Sequence, residues 1–185
     1  MDYNKILYKA AVSAGVSIHE WKVIPAAALV FSAGLLDYCK TNACGNYNKS
    51  WTCPPVCESA DEQKKKILSH EKILVFTTKH VMEDSFDYEG MTKGRELHAL
   101  LTAEVKKKFK GSPVYGAGSC PVCTNINGRN VCSFPKRCRF PKKMIGSIEA
   151  AGVNVTELSK AAGIAYNNGP GTVTFFSMVP LNITE

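Results

Sequence analysis

The chain has 185 residues, 45% of them hydrophobic and 21% charged, proportions of a folded globular protein with a buried core and not of a disordered one. The formal net charge of +7 is unevenly placed: between Glu104 and Lys143 ten cations (Lys106, Lys107, Lys108, Lys110, Arg129, Lys136, Arg137, Arg139, Lys142, Lys143) face one acid, so the rest of the chain is weakly acidic. The opening "MDYNKILYKAAVSAG" lacks the basic-then-apolar order of a signal peptide, and the strongest uncharged apolar run, Val23 to Leu36, is shorter than the roughly 20 residues of a membrane span. We therefore expect one cytoplasmic domain over residues 1–185, with no membrane segment.

In chain order, "DYNKILYKAAVSAG" has helical periodicity and stops at Gly15. The alternation of Val16, Ile18 and Val23 predicts a short strand. Pro25 is suited to begin a buried helix through the apolar run to Cys39. "ESADEQKKKILSH" places acids first and lysines last, as a helix dipole favours. "KILVFTTK", Lys72 to Lys79, reads as a strand, and a long helix follows from about Thr92 to Lys110, closed by Gly111 and Pro113. "PVYGAGSCPVC" predicts a short strand entering a glycine-rich turn. "SIEAAGVNVTELSKAAG" predicts two short helices, the second starting near Asn154 and ending at Gly163. "GTVTFFSMVPL" predicts a last strand, with Phe176 and Met178 on one face and Phe175 and Val179 on the other. The expected fold is α+β (or α/β): a small mixed sheet packed with helices, and two cysteine-rich loops at about 39–57 and 116–141.

Those loops hold all eight cysteines, as Cys39, Cys44, Cys53, Cys57 and as Cys120, Cys123, Cys132, Cys138. A disulfide framework fits poorly with a cytosolic chain that has a core of its own. Metal ligation fits better. Zinc takes short C-x(2–4)-C pairs, which three of the four neighbouring pairs satisfy, while Cys132/Cys138 is wider. An iron–sulfur cluster accepts wider spacings and often has proline beside a ligand, as in Cys53-Pro54-Pro55 and Cys120-Pro121, although the ferredoxin spacing is missing. The spacing leans toward a cluster and leaves zinc open. Gly45, Gly116 and Gly118 would let backbone N–H groups approach inorganic sulfide, and Tyr47, Trp51 and Phe134 would either wall the site or pack in the core.

"CKTNACGNYNKSWTCPP", "GAGSCPVC", "CRFP" and "SIEAAGVNVTELSKAAG", in this order, resemble the predicted metal-binding protein family, domain of unknown function 2284, from Cys39 to about Leu181. The resemblance implies metal ligation by Cys39, Cys44, Cys53, Cys120, Cys123 and Cys138. Cys57 and Cys132 correspond less closely and are the fourth candidate of each set. The family is similar in organisation to iron–sulfur proteins of anaerobes, which implies two 4Fe–4S clusters, with zinc as the alternative; it supplies no reaction.

No nucleophile elbow, phosphate loop or dinucleotide fingerprint is present, and the four histidines lack i, i+4 partners. His98 reads as a surface or groove residue. Lys136, Arg137 and Arg139 bracket Cys138, where cations favour thiolate, and Glu149 is a candidate ion-pair partner for them. The expected function is a redox or metal-handling accessory docking an acidic ferredoxin or flavodoxin. One alternative is an enzyme with an iron left open by Cys57 or Cys132. Another is a zinc module binding nucleic acid, for which only Tyr115, Phe134 and Phe140 offer aromatic platforms.

Overall fold

The computed structural model describes residues 2–123 and 131–182. Helix α1 (Tyr3–Ala14) is capped by Asp2, whose side chain accepts the Lys5 N–H, and ends at Gly15 in the left-handed region. Strand β1 (Trp21–Pro25) runs antiparallel to β2 (Lys72–Val81), from Trp21 opposite Phe76 to Pro25 opposite Lys72. The pairing begins later than Val16, although the His19 N–H already donates to Thr77 O.

The run from Val23 to Leu36 is not one buried helix. It divides into the end of β1, a 3-10 turn at Ala26–Ala28, a bridge between Phe31 and Val153, and the start of α2 (Gly34–Lys40). Short apolar runs suit strand and helix alike, and here the edge of β2 takes the backbone of Val23 and Ile24. Beyond the turn, the Ser32 N–H is taken by Gly152 O.

Helix α3 (Ala60–Leu68) opens with a capping box between Ser59 and Glu62. Helix α4 (Tyr88–Lys108) begins four residues before the expected Thr92, because the Asp87 side chain accepts the Gly90 N–H. Then come β3 (Tyr115–Gly116), β4 (Gly146–Ser147), α5 (Val155–Ala162) and β5 (Thr172–Leu181). Of the two helices expected in "SIEAAGVNVTELSKAAG" only the second forms, with Asn154 as its cap and Gly163 as its left-handed stop. Residues 147–152 form a turn, in which Ala151 N–H donates to Ser147 O and Ala150 N–H to Ser147 Oγ. Gly152, at φ 77°, completes it.

The sheet order is β1-β2-β5-β3-β4, antiparallel except for the β3–β4 pair, so the class is α+β with a mixed sheet. Both faces of its centre are covered, which is why β2 reads as a nearly continuous apolar run. Ile73, Val75, Phe176 and Met178 pack under α3 and α5 with Ile67 and Leu158. Leu74, Phe76, Val179 and Leu181 pack under α1 and α4 with Leu7, Leu101 and Val105.

His98 is 1% exposed, neither at the surface nor in a groove. It lies between α4 and the sheet in a polar chain whose direction follows from its end. Thr102 Oγ1 donates to His98 O, so Ser177 Oγ donates to Thr102 Oγ1 and accepts from His98 Nε2–H. Nδ1 then accepts from Thr78 Oγ1, which accepts in turn from His80 Nε2–H. Burial holds His98 neutral, with its pKa lowered to about 3. Gly94 makes room for His80: a Cβ there would stand 2.9 Å from the ring.

Candidate metal centre

The first cysteine loop leaves α2 and returns at α3. Its tight course uses left-handed residues at Asn42 and Gly45, and the Asn42 side chain accepts the Tyr47 N–H. Around Cys53 the backbone closes on itself, with Cys53 O accepting the N–H groups of both Val56 and Cys57. Cys53 is buried, Cys44 exposed and Cys39 and Cys57 intermediate; all eight cysteines are free thiols.

Each thiol of this loop lies in electrostatic range of others in the set. Burial, then the Cys44 and Cys57 thiols, push Cys53 up to about 12. Burial first, then Cys44, raises Cys39, and Cys57 is raised chiefly by burial with Cys39 adding to it. Thiols whose ionisation is opposed by burial and by one another, as at Cys39, Cys53 and Cys57, favour a cation among them, whose binding would release their protons.

The second loop follows β3. Cys120, Cys123, Cys132 and Cys138 line one small cavity together with Trp51, Phe140 and Met144. Burial is the main cause that raises Cys120, with Cys123 and Cys132 adding to it. Cys138 also lines a second cavity, with Cys57 of the first loop. Among the described residues, no three His, Cys, Asp or Glu side chains draw close enough to hold a single metal ion.

Hydrogen bonds join the loops. Thr52 Oγ1 accepts the Cys120 N–H at 3.0 Å, and Trp51 Nε1 donates to Lys136 O at 3.2 Å. The Trp51 ring also meets Phe134 edge-on at 5.2 Å, while Tyr47 is in the outer turn of its loop. The sequence offers Tyr47, Trp51 and Phe134 as a wall or as core packing, and of these Trp51 lines the cavity of the second set; it holds no sign of Thr52, whose hydroxyl carries no signal in W-x-C-P-P.

Three expectations need correction. Glu149 pairs with none of Lys136, Arg137 or Arg139; its carboxylate accepts from Ser147 Oγ and faces Cys39, because the turn at 147–152 directs it there. The Gly45 N–H is already committed to Asn42 O, so it is not free for sulfide. Tyr115 is buried, so it is not an open stacking platform, while Phe140 is exposed with Arg139 at 5.9 Å and Lys143 at 5.4 Å from its ring. Lys136, Arg137, Arg139, Lys142 and Lys143 are exposed, and among the described residues none has an acidic partner. Arg129 lies outside the described residues.

An α+β scaffold carrying two sets of four free thiols on adjoining loops defines a metal-binding class of protein. The chain belongs to the DUF2284 family, described as predicted metal-binding protein, whose family model matches residues 22–181. No curated protein and no solved structure matches it. No helix among the described residues is long and apolar enough to cross a membrane.

Proposed function

We propose that the protein binds two 4Fe–4S clusters, one on Cys39, Cys44, Cys53 and Cys57 and one on Cys120, Cys123, Cys132 and Cys138, and acts as a redox or metal-handling accessory in the cytoplasm. The observation that carries this reading is the pairing of two separate four-thiol sets through the Thr52–Cys120 hydrogen bond. The four thiols of the second set line one small cavity, and in the first set burial and neighbouring thiols raise the pKa values of Cys39, Cys53 and Cys57. A cluster places its four thiolates on four different irons and so suits such a set. When bound, it supplies reversible one-electron chemistry. The chain's part is to bury Cys53, to wall the second set with Trp51, and to hold the two loops in contact.

The exposed cations around Cys138 support docking of an acidic electron donor such as a ferredoxin or flavodoxin, since opposite charge steers encounter. The edge-on packing of Phe134 against Trp51 and the burial of Tyr115 weigh against stacking of nucleic-acid bases on this face, which leaves Phe140 as its exposed ring. Electron paramagnetic resonance of the dithionite-reduced protein tests the reading. Two interacting cluster signals that disappear on reoxidation are expected, and a silent sample with full metal content would overturn it.

A second reading, an enzyme with one open iron acting as a Lewis acid, is favoured by one observation. Cys57 and Cys138 both line a shared, partly open cavity, so a centre short of one thiolate would face a space that a small molecule can enter.

A further inference from the structure

Ser50 and Thr52 carry buried hydroxyls in the first loop, 0% and 5% exposed, and both residues line the cavity of the second cysteine set. Counting partners assigns their hydrogens. The Thr52 N–H donates to Ser50 Oγ at 3.4 Å, and the two hydroxyl oxygens lie 3.2 Å apart. Ser50 is sealed from solvent, and among the described residues Thr52 Oγ1 is the acceptor within reach of its hydrogen. A buried hydroxyl hydrogen left unpaired is costly, so Ser50 Oγ–H donates to Thr52 Oγ1.

Thr52 Oγ1 accepts a second time, from the Cys120 N–H at 3.0 Å. A hydroxyl oxygen has two lone pairs and one hydrogen. Both lone pairs are taken, so the Thr52 hydrogen needs an acceptor of its own. The sulfur of Cys53, the next residue and itself buried, meets that need. Burial is the main cause that raises this thiol, and hydrogen bonding from the Thr52 side chain acts in the opposite direction, toward thiolate.

The chain is therefore directional. Ser50 and Cys120 donate into Thr52, and Thr52 donates to Cys53. Two donors on one oxygen polarise its remaining O–H and strengthen the bond it makes. One of the two belongs to the second loop, so that bond depends on how the second loop is seated. The Cys120 N–H, spent on Thr52, is in turn unavailable to sulfide in its own centre.

Hydrogen bonds to ligand sulfur favour the more negative, reduced form of a cluster and so raise its potential. We propose that Thr52 raises the reduction potential of the first centre by donating to Cys53 Sγ, with its hydroxyl polarised by Ser50 and by the Cys120 N–H of the second loop. This rests on the cluster reading and adds to it a residue that tunes one centre through the loop of the other.

Reductive titration of the full chain, purified anaerobically and followed by electron paramagnetic resonance, tests this. In Thr52→Val one midpoint is expected to fall, by about tenfold in the equilibrium with a one-electron donor, or about 59 mV. Thr52→Ser, which keeps the hydroxyl, should stay at the parent value. Ser50→Ala, which leaves the Cys120 N–H paired, should move the same midpoint in the same direction by less. The proposal is overturned if no midpoint falls in Thr52→Val, or if Thr52→Ser falls as far. Where the valine variant does not retain iron, Ser50→Ala decides, and midpoints equal to the parent's overturn the proposal. Iron and sulfide are assayed first, so failure of the cluster reading registers separately. With zinc in their place, acid titration tests the same bond: the valine variant should release metal at a higher pH than the parent and the serine variant, and equal release overturns the proposal.

Discussion

Thr52 Oγ1 accepts the Cys120 N–H across 68 residues of chain, and Thr52 is the residue before Cys53. One hydrogen bond thus links the side chain beside a candidate ligand of the first loop to the backbone of a candidate ligand of the second. Thr52 is 5% exposed, so water does not readily replace its hydroxyl.

Thr52→Val keeps the shape and removes the acceptor, leaving the Cys120 N–H unpaired at a partly buried position. A loss of about 1–3 kcal/mol in unfolding free energy is expected, and Thr52→Ser should restore most of it. Denaturant titration of the three proteins checks this, and equal midpoints for the valine variant and the parent would remove Thr52 from the account.

His98 gives the fold a pH dependence. Its folded pKa, lowered by burial to about 3 from the ordinary 6.5, means that the unfolded chain binds the proton first. Its contribution is fully present above about pH 6.5 and is lost as pH falls toward 3, with a slope of at most about 1.4 kcal/mol per pH unit. Burial lowers His80 as well, and so adds in the same direction. Stability measured from pH 7 to 4.5 should fall steeply in the parent and less steeply in His98→Gln. Parallel profiles would mean that His98 is protonated in the folded protein.

How much of this was legible in the sequence depends on whether the residues had a local signal. β2 and β5 could be read because Ile73 to Phe76 and Phe176 to Val179 fill both faces of a strand. α1 and α5 could be read because Gly15, Asn154 and Gly163 carry stop and cap chemistry of their own. Val23 to Leu36 could not be, because an apolar run has no period that tells strand from helix, and its partner, the edge of β2, lies fifty residues away. The cysteine spacing marked both thiol sets. It could not show that Thr52 joins them, that Glu149 turns toward Cys39, or that Tyr115 lines the cavity between them, since those relations exist only after the sheet brings the loops together.

The status of the fourth thiol in each set can be read by substitution. Cys57→Ser and Cys132→Ser should each remove about four irons of about eight, leaving the other centre intact. Iron content unchanged in either variant would mark that centre as three-thiolate, and cyanide or a thiol should then shift its spectrum.

Reversing charge at Lys136 and Arg137, both exposed beside Cys138, should slow reduction by an acidic ferredoxin without changing iron content. The Debye length is about 8 Å at physiological ionic strength, so about 0.5 M salt should erase most of the difference. Stopped-flow reduction at low salt checks this. Equal rates for the double glutamate variant and the parent would mean that these cations only offset the charge of the centre.

The central claim is that eight thiols hold two four-iron clusters, and metal analysis of anaerobically purified protein tests it most directly. The account predicts brown protein with about eight irons and about eight acid-labile sulfides per chain. Colourless protein with stoichiometric zinc and no sulfide, prepared in the same way, would contradict it.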